Sequence, residues 1–339
     1  MIKYIKIIKW FIFDLFKSRK NDLHINKNSS YQLMRGLYRI SNGLITNVLA
    51  FFLCGLNYKN SNKFKKGFLE LEKIHDHKIN ELKKEIAKMK VFDQREINNF
   101  NYSDNTKQIS DYAFKFEELS SKDIIRMDVV KSELLSNKVV TNFVTDKKWI
   151  KIVKKIINVE PKLVDVTSWY TLPHKKELDL NKYSAQIWHR DVDKIRDLKI
   201  FIYLSDVVSL DKGPFEILIN SHRMSLDKLR YENKNNFRIS DDKIKNKNIY
   251  LKHSFLGEKG TNFIVDTRCL HRGGVVKNEF RQVIELYFSN SSFGKHEYFN
   301  LFSKPNLKSN WESYDIWKRN IENYPGIYNT LFMGKKNTY

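Results

Sequence analysis

The sequence predicts an α+β protein: a mostly helical N-terminal region, then a strand-rich core of the antiparallel sandwich or jelly-roll type. Three observations carry this reading. Through residue 160, apolar side chains recur at steps of three and four, the period of a helix. From Pro161 onward the chain breaks into short runs rich in β-branched and aromatic residues, divided by turn signals. No crossover-helix pattern separates those runs, so neighbouring strands are expected to run antiparallel.

Residues 2–17 (IKYIKIIKWFIFDLFK) open with an amphipathic pattern. At about 100° per residue, Lys3, Lys6, Lys9, Asp14 and Lys17 fall within one arc, and Ile, Trp and Phe fill the rest. No apolar run here reaches the ~18 residues of a membrane span, and no small-residue cleavage site follows. The segment reads as a helix packed on its own domain, or as a basic helix lying in a membrane interface. Residues 44–57 are a second apolar run, also short for a span, and read as a buried helix. Over 63–90, Phe64, Phe68, Leu71, Ile74, Leu82, Ile86 and Met89 keep helical spacing. Residues 96–110 are polar and read as a loop. Residues 123–136 and 146–158 repeat the helical period, each with an Asp in a capping position.

Candidate strands are 163–172, 184–190, 198–207, 214–219, 261–266 and 281–289. Asp211 to Gly213, Gly257 to Gly260 and Gly273-Gly274 mark turns between them. The expected organisation is therefore a helical region over 1–160, a core over 161–292 and a C-terminal extension over 293–339. Within the core, residues 222–255 are polar and rich in Lys and Asn, and read as an insert.

Composition bounds the function classes. The chain has 339 residues, 41% hydrophobic and 29% charged, ordinary for a globular protein, and its 14% aromatic content supports a large core. The net charge of +22 admits an anionic partner. However, the lysines are spread along the whole chain, and no zinc-finger, RRM, KH or basic-zipper signature is present, so nucleic-acid binding is not expected. An acidic substrate remains open. Cys54 and Cys269 are the only cysteines, too few for a disulfide framework. They point to a reducing compartment, most simply the cytoplasm, with peripheral membrane contact through 2–17 left open.

The chemistry concentrates in the strand-rich half. In a β-strand, positions i and i+2 share a face, so His189 and Asp191 project side by side. His271 follows strand 261–266. Two His and one carboxylate on one face leave three metal positions open, the arrangement of non-haem Fe(II) oxygenases. Arg281 lies ten positions beyond His271, at the start of a strand. A guanidinium there can grip the far carboxylate of a metal-chelating keto acid with two parallel hydrogen bonds. Neighbouring Arg272 is an alternative group to face the substrate. Each piece alone is weak; the joint pattern carries the reading. His75-Asp76-His77 is set aside because i and i+2 lie about 200° apart on a helix. His174 reads as a loop residue and Cys269 as packing.

These stretches resemble the phytanoyl-CoA dioxygenase (PhyH-like) family of Fe(II)/2-oxoglutarate oxygenases. The matching segments are 184–207 (SAQIWHRDVDKIRDLKIFIYLSDV), 212–223 (KGPFEILINSHR) and 260–289 (GTNFIVDTRCLHRGGVVKNEFRQVIELYFS). The resemblance implies a double-stranded β-helix (jelly-roll) core, with Fe(II) held by His189, Asp191 and His271. It implies 2-oxoglutarate as cosubstrate, its far carboxylate on Arg281, and O₂ as oxidant. The implied reaction hydroxylates a small-molecule or carrier-bound metabolite and releases succinate and CO₂. Retention of Asp191 disfavours halogenation. Gly213-Pro214 and Ser221-His222 match the family's turn and Ser-His pair, which reads as structural. Ile219-Asn220 stands where the family often has Pro-Gly. Val283 stands where some relatives carry a hydroxyl two past the Arg, and Lys199 is a possible helper, though a solvent-facing lysine is the simpler reading. The alternative in another class is a non-catalytic β-sandwich binding an acidic ligand or a membrane surface.

Overall fold

The computed structural model describes residues 64, 66–93, 113–119, 124–157, 161–173, 184–191, 197–223, 238–245 and 251–289. The readings of 2–17, 44–57, 96–110, His174, Cys54 and 293–339 lie outside these residues.

In chain order the strands are β1 (Phe68–Glu70), β2 (Lys90–Asp93), β3 (Phe114–Lys115), β4 (Arg126–Val129), β5 (Lys162–Thr171), β6 (Trp188–His189) and β7 (Asp197–Tyr203). They continue as β8 (Phe215–Leu218), β9 (Arg238–Ile239), β10 (Lys252–Ser254), β11 (Asn262–Val265), β12 (His271–Gly273) and β13 (Arg281–Ser289). The helices are α1 (Asp76–Ala87), α2 (Lys131–Ser136), α3 (Lys138–Val144), α4 (Lys147–Ile157) and α5 (Asp241–Lys245).

Two antiparallel sheets form. The larger runs β1-β11-β7-β13-β5-β4-β2-β3, and the smaller runs β10-β8-β12-β6-β9. The period-2 alternation of the larger sheet sends its side chains to two different cores. Ile200, Ile202, Ile264, Ile284 and Leu286 join one apolar cluster with Ile79, Leu82, Ile86, Trp149 and Val153 of the helices. Phe201, Tyr203, Phe263 and Val283 point the other way and pack with Phe215 and Ile217 of the smaller sheet. The rings of Phe201 and Phe215 lie 4.5 Å apart across this interface. Each fully buried aliphatic side chain here contributes roughly 1.5–3 kcal/mol.

The helices follow from local chemistry. In α1, Ile79, Leu82 and Ile86 bury one stripe at helical spacing. Asn137 caps α3, its Oδ1 accepting from the amides of Val139 at 3.0 Å and Val140 at 3.2 Å. The Asp146 carboxylate accepts from the Lys148 amide at 2.9 Å at the start of α4. No helix among the described residues is long and apolar enough to cross a membrane.

The structure corrects several sequence readings. Where it is described, the N-terminal region is not helical throughout: β1, β2, β3 and β4 lie in it and join the larger sheet. Residues 123–136 were expected to be one helix, but Arg126–Val129 is a strand paired with β2 and β5, and the helix begins only at Lys131. Sheet pairing there overrides local period, since Met127 and Val129 are buried while Arg126 and Asp128 face the other way. Of 184–190 only Trp188–His189 is strand, preceded by a short 3₁₀ turn. Within 222–255, β9 pairs with β6 and β10 pairs with β8.

Candidate metal centre

His189 ends β6 and His271 opens β12, and the two strands pair antiparallel through this one residue pair. The imidazole centroids are 4.3 Å apart. His189 Nδ1 lies 2.7 Å from the carbonyl oxygen of Ile187, and His271 Nδ1 lies 2.9 Å from that of Cys269. A carbonyl only accepts, so each Nδ1 carries the proton and donates. Each Nε2 is left with a lone pair, and the two converge on Asp191.

Asp191 sits two positions beyond His189, just past the strand end, where its amide donates to the carbonyl of Thr267 at 3.0 Å. Its Oδ1 is 3.9 Å from His189 Nε2, and its Oδ2 is 3.7 Å from His271 Nε2. The three ligand atoms lie within 4.8 Å of one another. An ion about 2.0–2.2 Å from each donor fits separations of this size. Arg190, between the two, is buried and donates to the Ser221 carbonyl on the other side.

The electrostatics suit a cation. Burial holds the pKa of both histidines below the usual value, and the Arg238 guanidinium pushes His189 the same way. Burial works against ionisation of Asp191, but the Lys199 ammonium 2.9 Å away outweighs it and holds the carboxyl well below the usual range. At neutral pH the donor set is therefore two neutral nitrogens and one carboxylate. Among the described residues this is the one cluster of three or more His, Cys, Asp or Glu able to hold a metal. His75 and His77 stack with centroids 5.9 Å apart, because His75 precedes α1 rather than lying in it, but both stay exposed and draw in no further ligand.

Arg281 opens β13 beside this centre. Its Nη2 donates to the Thr171 hydroxyl at 3.1 Å. Its Nε and Nη1 are buried and have no hydrogen-bond partner among the described residues. Burial brings its pKa down to about 10. A Cβ added at Gly273 would stand 2.9 Å from Arg281 Nη2, so the bare glycine lets the guanidinium lie under β12. Gly273 is two positions from His271 on that strand, about 7 Å along it. Two unsatisfied guanidinium donors in a buried setting fit a carboxylate, which is the group a 2-oxoglutarate molecule would present.

Sequence reasoning missed Thr171 here and preferred the wrong one of its two readings of Lys199. Thr171 supplies the hydroxyl that Val283 lacks, from the neighbouring strand rather than from β13 itself. Lys199 is not solvent-facing: its side chain is 12% exposed, and its Nζ lies 2.9 Å from Asp191 Oδ2 and 3.3 Å from Glu285 Oε1. Arg272 does not face the metal. It donates to Glu216 at 2.6 Å and to Asp241 at 2.7 Å, and lies 4.5 Å over the Trp188 ring. The Ser-His pair is structural at Ser221, whose hydroxyl donates to the Leu218 carbonyl and accepts from the Leu270 amide, both at 2.7 Å. Asn220 adopts φ 63°, a left-handed conformation that Asn tolerates in place of Gly.

No protein-family model matches the chain, and no curated protein matches it by sequence. Solved structures do. The chain is similar to AviO1 from Streptomyces viridochromogenes Tue57, at 17% identity over 68% of this chain and 93% of that one, with a TM-score of 0.43. It is similar to HygX from Streptomyces hygroscopicus, solved with nickel, 2-oxoglutarate and hygromycin B, at 13% identity over 74% and 88% of the two chains, with a TM-score of 0.42. It is similar to SnoN, a non-heme alpha ketoglutarate dependent epimerase from nogalamycin biosynthesis, at 11% identity over 67% and 80%, with a TM-score of 0.44. At these identities and scores, function is read from the geometry of the site rather than from likeness.

Proposed function

We propose that the chain is a non-haem Fe(II)- and 2-oxoglutarate-dependent dioxygenase of the phytanoyl-CoA dioxygenase type, a double-stranded β-helix that hydroxylates a small-molecule or carrier-bound metabolite. One observation carries this reading. A two-histidine, one-carboxylate donor set lies beside a buried guanidinium whose Nε and Nη1 have no partner among the described residues. His189, Asp191 and His271 would hold the metal from one side and leave its other side open to a chelating keto acid and O₂. Arg281 answers the keto acid's second carboxylate at the far end.

The bound metal would supply the oxidising chemistry, coupling decarboxylation of 2-oxoglutarate to succinate and CO₂ with hydroxylation of the substrate by O₂. The chain's own residues do the rest. His189 and His271 would hold the metal through Nε2, their orientation fixed by the carbonyls of Ile187 and Cys269. Phe215 stacks on His271 with centroids 5.4 Å apart and planes 14° apart, and so restricts rotation of the ring. The aromatic cluster of Phe201, Phe215, Phe255 and Phe263 closes the back of the site against water. Arg281 and Thr171 orient the cosubstrate from the far side.

The test is stoichiometric. The full chain, given Fe(II), 2-oxoglutarate and O₂ with a broad metabolite panel, should release succinate, and His189→Ala should abolish that release. A metal-loaded wild type that never consumes 2-oxoglutarate would overturn the reading.

A further inference from the structure

We infer that Lys199 is a positioning residue that presents Asp191 to the metal through Oδ1 alone and so keeps a third coordination position open. The inference rests on the metal reading above.

A carboxylate can bind a cation through one oxygen or through both. The choice matters here. Two-oxygen binding by Asp191, added to two imidazoles, would fill four of six octahedral positions. A chelating keto acid would take the remaining two and leave none for O₂. One-oxygen binding leaves the third position free, so something must occupy the other oxygen.

Lys199 does so. Its Nζ lies 2.9 Å from Asp191 Oδ2, the geometry of a charge-assisted hydrogen bond. Oδ1 has no hydrogen-bond partner among the described residues and lies 3.9 Å from His189 Nε2. Lys199 is itself held in place. Its ammonium lies 3.3 Å from Glu285 Oε1 and 5.1 Å from the centroid of the Tyr287 ring. Its backbone is locked in β7, opposite Val265 on one side and Tyr287 on the other. A surface lysine keeps its ammonium in water, and burying one is costly unless it is paired. Here two partly buried carboxylates share it, which fixes the ammonium where it can restrain Asp191. The acidic group on β13 thus acts through the lysine on the metal ligand.

The experiment uses the full chain, freed of metal and titrated with Co(II), whose visible spectrum reports coordination. Wild type, Lys199→Met and Lys199→Arg are compared, with folding checked by far-UV circular dichroism. The expected result is a shift or loss of the Co(II) bands in Lys199→Met. Binding of 2-oxoglutarate to its Co(II) form should weaken about 10- to 100-fold, the range for outer partners of metal ligands. Lys199→Arg should restore both. A folded Lys199→Met with the wild-type spectrum and 2-oxoglutarate affinity overturns the inference, as does an Arg variant that shifts as far as the Met variant. A wild type that takes up no Co(II) overturns the metal reading and this inference with it. If Lys199→Met does not fold, the wild type decides alone. Infrared difference spectra of the ¹³C-aspartate-labelled chain, with and without Zn(II), separate one-oxygen from two-oxygen carboxylate binding by the spacing of the two stretching bands. The two-oxygen spacing overturns the inference.

Discussion

His189 and His271 form a directly opposed residue pair between β6 and β12, with their imidazole centroids 4.3 Å apart. Pairing in register places both Nε2 atoms on one side of the smaller sheet, and Asp191 closes the set from the strand end. Removing either imidazole leaves two donors, too few to hold an ion firmly. His271→Ala should therefore weaken Co(II) or Fe(II) binding by more than the ~10- to 100-fold that loss of an outer partner costs, as read by equilibrium dialysis. Retained affinity in that variant would place the metal elsewhere.

The guanidinium of Arg281 lies buried with Nε and Nη1 unpaired among the described residues, which is a costly state without a ligand. A lysine there offers a point charge but no fork. Arg281→Lys should raise the KM for 2-oxoglutarate by about 10- to 100-fold, since a charged hydrogen bond contributes roughly 1.5–3 kcal/mol, while Co(II) affinity stays as in wild type. Gly273→Ala should act in the same direction, because its Cβ would stand 2.9 Å from Arg281 Nη2. Equal loss of metal affinity in both variants would argue that Arg281 supports the fold rather than the cosubstrate.

His189, Asp191, His271 and Arg281 could be proposed from the sequence because each sits at a recognisable place in a strand pattern. His189 and Asp191 share a face through two-residue spacing, and the β-branched and aromatic run of RQVIELYFS marks a strand that opens at Arg281. What was not legible depends on pairing across long stretches of chain. The Thr171 hydroxyl meets Arg281 across 110 positions, and nothing in 163–172 announces that register. Lys199 looks like an outward lysine in a strand until Asp191 is folded over it. In 123–136, IIRMDVV satisfies a helical and an alternating period alike, and only pairing with β2 and β5 selects the strand.

Arg272 ties Glu216 and Trp188 of the smaller sheet to Asp241 of α5, and its side chain hydrogen-bonds to none of the three candidate metal ligands. Its partner Glu216 is 5% exposed, so deleting the guanidinium leaves a buried carboxylate short of one donor. Lys252 at 2.8 Å and Ser254 at 3.1 Å remain, which limits the damage. Arg272→Ala should lower unfolding free energy by about 1–3 kcal/mol in urea titrations, with the KM for 2-oxoglutarate unchanged. A specific rise in that KM would return Arg272 to the active site.

Alkaline unfolding should report the tyrosines of the sandwich. Burial pushes Tyr170 and Tyr203 from 10.0 up to about 12. In each case the folded pKa exceeds the unfolded one, so their contribution is fully present below pH 10 and is lost as pH climbs toward 12. Burial moves Arg281 the other way, from 12.5 to about 10, so over the same window it favours the folded state and offsets one of the two tyrosines. The net result is a loss of stability above pH 10. Tyr203 is the more informative of the pair, because its hydroxyl accepts from the Phe215 amide and donates to the Phe255 carbonyl, both at 2.9 Å. Tyr203→Phe should remove its share of the alkaline loss while lowering stability at neutral pH, where those two backbone groups are left short. Chemical denaturation at pH 8 and at pH 11 separates the two effects, and an unchanged alkaline slope in the variant would show that Tyr203 ionises freely in the folded chain.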